Sequence, residues 1–260
     1  MLANRSLSRI FKAFFGLQHY MALAAMFRIY PRPFENLYRY LTGHGEYPYR
    51  VQLRTPLGLV MPTCFSHHDL LTVNEIFCRG DYGSRTNQAK IVLDIGSNIG
   101  ISALYFLTRN AQARVYCYEP DPKNISRLKE NLKDFDARFE LHTQAVADKG
   151  GPIQFGVEST GRYGGIGVKT GSYITVDCVN INDVLDMVLR ENGTIDILKM
   201  DIEGQEISAT LAIRREYLLR IRRIYIEAVP DMQLHPDIFI QRQYGEICQL
   251  TARAPRTTET

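Results

Sequence analysis

The sequence predicts an α/β protein built on a doubly wound, mostly parallel sheet with helices on both faces, preceded by an elaboration of helices and a β-hairpin. Three observations predict it. From Lys90 onward, short apolar runs alternate with helical segments. The first run, Ile91-Val92-Leu93, is apolar at every position, as a strand buried on both faces requires. A glycine-bearing turn from Gly96 to Gly100 follows it directly and opens a helix, the arrangement used at the carboxyl edge of nucleotide-binding sheets.

Composition narrows the class. The 260 residues are 45% hydrophobic and 23% charged, the balance of a folded chain rather than a disordered one. The 31 Lys+Arg and 28 Asp+Glu leave a net charge of +3, too small to announce a nucleic-acid binder, so no nucleic-acid partner is expected. Cys64, Cys78, Cys117, Cys178 and Cys248 are odd in number and widely spaced, with no C-x-x-C. That pattern predicts buried thiols in a reducing, cytoplasmic compartment, and neither a disulfide framework nor a zinc site.

The first 89 residues read as a cap. Leu7, Ile10, Phe11, Phe14 and Leu17 fall at helical spacing beside Arg5, Arg9 and Lys12, which predicts an amphipathic helix packed on the domain. A peripheral, membrane-surface helix is the alternative, and a secretory signal ending near Ala22-Leu23-Ala24 ranks third; the run from Ala13 to Phe27 is too short to span a bilayer. Pro31-Arg32-Pro33 ends this region, and Gly43-His44-Gly45 is a second break. Alternating Val51, Leu53, Leu59 and Met61 around Thr55-Pro56-Leu57-Gly58 predict a hairpin. A helix is expected from Asp69 to Cys78, stopped by Gly80-Asp81-Tyr82-Gly83.

A single domain is expected over residues 90–251. Its helices should run from Ile99 to Arg109 and from Pro122, behind an Asp121 cap, to Lys133. Further strands should be Val115 to Tyr118, Phe139 to His142, Ile195 to Met200 and Ile224 to Ile226. An insertion pairs Ile153–Val157 with Ile174–Val179 across a glycine-rich link, Gly161 to Gly167, and Asn182 should cap a helix running to Glu191. Near the end, Asp237 to Tyr244 reads as a helix, Ile247 to Thr251 as a strand, and residues 252–260 as a polar tail.

Three constellations carry chemistry. In Asp94-Ile95-Gly96-Ser97-Asn98-Ile99-Gly100 the small residues let a ligand approach the backbone, and the helix start offers N–H groups. The spacing is G-x-x-x-G rather than G-x-G-x-x-G, and an acid before the first glycine repels a pyrophosphate but pairs with an ammonium. That favours S-adenosyl-L-methionine over NAD. Glu119, before Pro120 at the end of the second strand, can accept both hydroxyls of a ribose. Asp201 and Glu203 lie two positions apart after the fourth strand, so in an extended segment they face the same way, and Glu227 ends the next strand. Three carboxylates at one edge need a cation nearby: the sulfonium, Lys199, or a divalent metal that nothing in the spacing demands.

The chain resembles the FkbM-type family of S-adenosylmethionine-dependent methyltransferases. The resemblance rests on Val92 to Gly100, Tyr118-Glu119-Pro120-Asp121-Pro122, Ala145-Val146-Ala147-Asp148, Asp196 to Gly204 and Ile224 to Glu227. Asn74-Glu75-Ile76-Phe77 with Gly80-Asp81-Tyr82 adds to it. It implies a class I methyltransferase fold, S-adenosyl-L-methionine as cofactor, and methylation of a hydroxyl on a small-molecule or glycan acceptor. It further implies that Asp94, Gly96, Ser97, Asn98 and Gly100 surround the methionine part, that Glu119 beside Pro120 holds the ribose, and that Gln144 and Ala145 lie near the adenine. Asp201 is then the first choice of base, Glu203 the second, with Glu227 beside them. Family members close the sheet with two further strands, and the polar tail here predicts that the last one is missing. An NAD-dependent oxidoreductase and a non-catalytic scaffold are the rival readings; the first lacks its glycine fingerprint and a Tyr-x-x-x-Lys pair.

Overall fold

Side chains alternate between the two faces of a strand, and in this protein both faces of the central strands are apolar. Helices must therefore cover the sheet on both sides. The computed structural model describes residues 17–158 and 164–253. The amphipathic face expected over Leu7, Ile10, Phe11 and Phe14, the link residues 161–163 and the tail residues 254–260 lie outside the described residues.

The described chain opens with α1 (Leu17–Ile29) and α2 (Pro33–Thr42). Pro33 sits in the first turn of α2, and Gly43 ends it at φ 70° with its N–H on Arg39 O. Strands β1 (Tyr49–Arg50), β2 (Leu53–Thr55), β3 (Gly58–Val60) and β4 (Thr63–Cys64) pair as β1–β4 and β2–β3, which is the expected hairpin. A capping box between Ser66 and Asp69 starts α3 (His67–Val73), which continues as a π-helical turn, Asn74–Arg79, closed by Gly80. The Tyr225 hydroxyl donates to Tyr82 O at 2.5 Å and ties this segment to the sheet.

The main domain runs β5 (Ile91–Ile95), α4 (Ile101–Arg109), β6 (Arg114–Tyr118), α5 (Pro122–Leu132), β7 (Phe139–His142). Next come β8 (Ala145–Ala147), β9 (Gly151–Val157), β10 (Gly165–Ile166), β11 (Ser172–Asn180) and α6 (Ile181–Asn192). Then follow β12 (Ile197–Met200), α7 (Glu206–Ala212), α8 (Arg215–Leu218), β13 (Arg223–Glu227), β14 (Phe239–Tyr244) and β15 (Ile247–Ala252). The seven-stranded sheet has the order β14-β15-β13-β12-β5-β6-β7. Pairs from β13 through β7 are parallel, and β15 runs antiparallel to both neighbours. One face packs Val92, Val115 and Tyr225 against α1, α3 and α4; the other packs Leu93, Tyr116 and Leu198 against α6 and α8. Each such buried aliphatic side chain contributes roughly 1.5–3 kcal/mol.

Two expectations are corrected. The sheet has both closing strands: residues 239–244 form β14, not a helix, and this strand, the one expected to be missing, pairs antiparallel with β15, the strand expected at Ile247 to Thr251. Six cross-strand pairs and a two-residue turn at Gly245 (φ 61°) outweigh a weak helical pattern. The cap of α6 is Asn180, whose side chain accepts from Asn182 N at 2.8 Å, so the helix begins two residues before the expected start. The insertion pairs as expected, β9 with β11, but it also recruits β8 into a four-stranded sheet of order β10-β9-β11-β8.

Candidate active site

The carboxyl ends of β5, β6, β12 and β13 meet at one cleft of about 490 Å³. Ten of the twelve sequence-predicted residues line it: Gly96, Ser97, Asn98, Glu119, Pro120, Gln144, Ala145, Asp201, Glu203 and Glu227. Asp94 and Gly100 do not. Gly100 (φ 84°) starts α4, where a Cβ would lie 3.1 Å from Leu128 of α5, so it serves helix packing.

The turn after β5 is closed on itself. Gly96 N and Ser97 N donate to Tyr118 O at 2.9 and 3.0 Å, and Asn98 N donates to Glu119 Oε2 at 2.8 Å. Ile99 N reaches the Asn98 side chain at 2.8 Å, and Gly100 N reaches Ser97 O at 2.8 Å. The expected free N–H groups are thus already used over residues 96–100. Gly96 (φ 77°) is small for a neighbour in the chain: a Cβ there would stand 1.8 Å from Asp201 O. The turn and the loop after β12 are pressed backbone to backbone.

Asp94 is fully buried behind the cleft wall. Ser102 Oγ donates to its Oδ2 at 2.5 Å. Its Oδ1 stands 3.1 Å from Lys199 Nζ without hydrogen-bond alignment, so the charges attract while this oxygen keeps an unused acceptor position. The ammonium that Asp94 pairs with is that of Lys199. Lys199 is itself 4% exposed, donates to Gly96 O at 2.6 Å and lies 3.4 Å from Asp201 Oδ2. Burial opposes its charge, but Asp94 and Asp201 outweigh it, and its pKa is raised well above the ordinary lysine value.

Glu119 is 5% exposed, and each oxygen accepts one backbone N–H: Oε2 from Asn98, and Oε1 from Asp121 at 2.9 Å. Burial pushes its pKa up to about 7 against these two bonds. Each carboxylate oxygen has a further lone pair. At the opposite end, Glu227 and Asp201 line the same wall, and the Asp201 charge, followed by burial, raises Glu227 to about 8 while Lys199 opposes. Glu227 is exposed by surface area, so cleft water weakens the effect of burial; the contact with Asp201 carries the shift.

The expected pairing of Asp201 with Glu203 is corrected. Glu203 has φ 50°, so the segment is a turn rather than an extended strand, and the carboxyl group joined to Asp201 is Glu227. Glu206, unforeseen, holds that turn: its buried carboxylate accepts from Ile202 N at 2.8 Å and Gly204 N at 2.9 Å. Sequence reasoning also missed much of the wall. His68, Thr72, Glu75, Arg79 and Tyr82 come from the cap, Phe155 and Ile166 from the insertion, and Glu246 and Ile247 from the last hairpin. Only Asn74 to Tyr82, as a recurrent segment before the first sheet strand, had offered a signal.

A sheet of this order, with its reversed penultimate position and cleft at the parallel carboxyl edge, defines a class I methyltransferase. The family described as the methyltransferase FkbM domain matches residues 94–254, and the chain belongs to it. It is 29% identical over 190 residues to the 2-O-methyltransferase NoeI of Sinorhizobium fredii, covering 65% of this chain and 76% of NoeI. It is 26% identical over 120 residues to the hexuronic acid methyltransferase AglP of Haloferax volcanii, covering 45% of this chain and 47% of AglP. Among solved structures it is similar to the methyltransferase FkbM of Methylobacillus flagellatus, with 17% identity and a TM-score of 0.45 over 71% of this chain and 54% of that one.

Proposed function

We propose that the protein transfers a methyl group from S-adenosyl-L-methionine to a hydroxyl of a small-molecule or glycan acceptor, with a sugar hydroxyl the first choice over a glycolipid or secondary metabolite. The observation that carries the cofactor class is the closed turn. A dinucleotide needs unused N–H groups for its pyrophosphate. Here the amides of residues 96–100 are already bonded, and the groups that face the ligand are carboxylates. Acceptors of that kind suit ribose hydroxyls and positive charge.

The residues present fit the cofactor. The second lone pairs of Glu119 would accept the ribose hydroxyls, Gln144 and Ala145 would flank the adenine, and Gly96 to Asn98 would border the methionine part. When bound, the cofactor supplies a methyl group activated by a sulfonium. The chain then aligns the acceptor, an effect that reaches roughly 7–11 kcal/mol, and removes its proton, a gain of about 10²–10⁴-fold. Asp201 takes that proton. Lys199 lies 3.4 Å from Asp201, and Glu227, raised by the Asp201 charge, is the carboxyl that would hold a proton beside it and donate to it. The names of the relatives, a 2-O-methyltransferase and a hexuronic acid methyltransferase, support an oxygen on a sugar-type acceptor.

Calorimetric titration tests the reading. S-adenosylhomocysteine should release binding heat and NAD none; heat with NAD alone would make the protein an oxidoreductase, and heat with neither would leave the scaffold reading.

A further inference from the structure

Two observations at the amino-terminal end converge. The first is an apolar strip on the outside of the cap. Leu23 and Phe27 stand one turn apart on α1, and Phe34, Tyr38 and Leu41 follow one another on one side of α2. All five are exposed, Phe34 to 74% and Tyr38 to 58%. The Phe27 and Phe34 rings meet edge to face at 5.4 Å, which joins the two helices' contributions into one strip. The second is charge. Residues 1–42 contain six basic side chains and one acidic one, a net +5, whereas residues 43–260 carry a net −2. Two of the basic residues, Arg28 and Arg32, are exposed between the two halves of the strip.

We infer that this face docks the protein on an anionic lipid bilayer, with Phe27, Phe34 and Tyr38 entering the headgroup boundary and Arg28 and Arg32 meeting lipid phosphates. Phenylalanine on an exposed apolar face buries at that boundary, tyrosine adds a hydroxyl that stays at headgroup level, and basic residues beside such a face are drawn to anionic headgroups. A protein partner would need only the apolar strip. The +5 excess on this end of a chain that is otherwise slightly acidic selects a polyanionic surface, and exposed phenylalanine rings select a lipid one. Among the described residues no helix is long and apolar enough to cross a membrane. Helix α1 packs on the π-helical turn whose Glu75 and Arg79 line the cleft, with Tyr30 Oη donating to Asn74 at 2.9 Å, so docking would hold one wall of the cleft against a surface. The inference does not depend on the methyl acceptor.

Co-sedimentation of the full chain with vesicles tests it. Phosphatidylcholine–phosphatidylserine vesicles should bind the protein at low salt, and phosphatidylcholine alone should bind it at least tenfold more weakly. Binding to the anionic vesicles should fall with rising salt. A Phe34→Ser/Tyr38→Ser variant should lose at least tenfold, with the fold intact by circular dichroism; an Arg28→Glu/Arg32→Glu variant should lose as much. Absence of binding, or binding that these variants do not weaken, overturns the inference. So does a dimer in sedimentation velocity that Phe34→Ser/Tyr38→Ser dissociates, because the strip would then be covered by a second copy.

Discussion

Lys199 and Asp94 stand opposite each other on β12 and β5, and their charged ends meet at 3.1 Å inside the molecule. The same ammonium holds Gly96 O at 2.6 Å. One buried cation therefore fixes a carboxylate and the turn beside the proposed ribose carboxylate. Removing it leaves Asp94 charged and uncompensated. Lys199→Met should cost about 3–5 kcal/mol of stability in urea denaturation, and S-adenosylhomocysteine should bind only weakly to the folded fraction. A variant as stable as the parent would show that Asp94 gives up its charge.

Glu119 should control cofactor affinity. Losing a charged acceptor costs about 1.5–3 kcal/mol, so Glu119→Ala should weaken S-adenosylhomocysteine by about 10–150-fold in calorimetry. Its raised value, about 7, adds a pH signature. The ionised form accepts more hydrogen bonds, so affinity should rise as pH rises through about 7. Glu119→Gln should flatten that profile.

Asp201 and Glu227 should separate kinetically. Asp201→Asn should slow single-turnover methyl transfer by about 10²–10⁴-fold with cofactor affinity nearly intact. Glu227→Gln keeps a donor to Asp201 and should lose much less. The reverse order would move the base to Glu227.

Stability should depend on pH through the two raised carboxyls. Glu119 and Glu227 hold protons in the folded state up to about 7 and about 8, against 4.5 for an ordinary glutamate. The native state then binds more protons than the unfolded chain across that window, so stability falls as pH rises. The contribution is complete below about 4.5 and lost above about 8. Melting temperatures between pH 5 and 9 should decline, and Glu227→Gln should remove the upper part of the decline.

Gly96→Ala tests the close approach. A Cβ cannot sit 1.8 Å from Asp201 O, so the β5 turn and the β12 loop must part. The variant should lose both cofactor affinity and thermal stability, unlike Asp201→Asn, which should lose rate alone.

Much of this was legible in sequence because it is local. All-apolar runs mark doubly covered strands, Asp121-Pro122 marks the start of α5, and the acids sit at strand ends. Non-local facts were not. Residues 239–244 form a strand because β15 pairs with them, which no window of the chain reveals. Asp201 meets Glu227 rather than Glu203 because the backbone turns at Glu203, a left-handed conformation that the nearby Glu206 stabilises through two amides. Gly96 reads as room for a ligand until the partner loop is placed against it. The exposed strip on α1 and α2 is hidden for the same reason: spacing shows an apolar face, but only packing shows which apolar residues remain uncovered.

The cleft wall contributed by His68, Thr72, Glu75, Arg79 and Tyr82 lies upstream of the family-matched span, residues 94–254. The two sides of the cavity are therefore written in successive stretches of the chain that share one apolar core. Substitutions at His68, Thr72 or Glu75 would re-cut one side of the cavity while leaving Glu119, Lys199 and Asp201 in place. The shape of the cavity and the grip of its floor are thus set by different residues, and the first can be varied by substitution without touching the second.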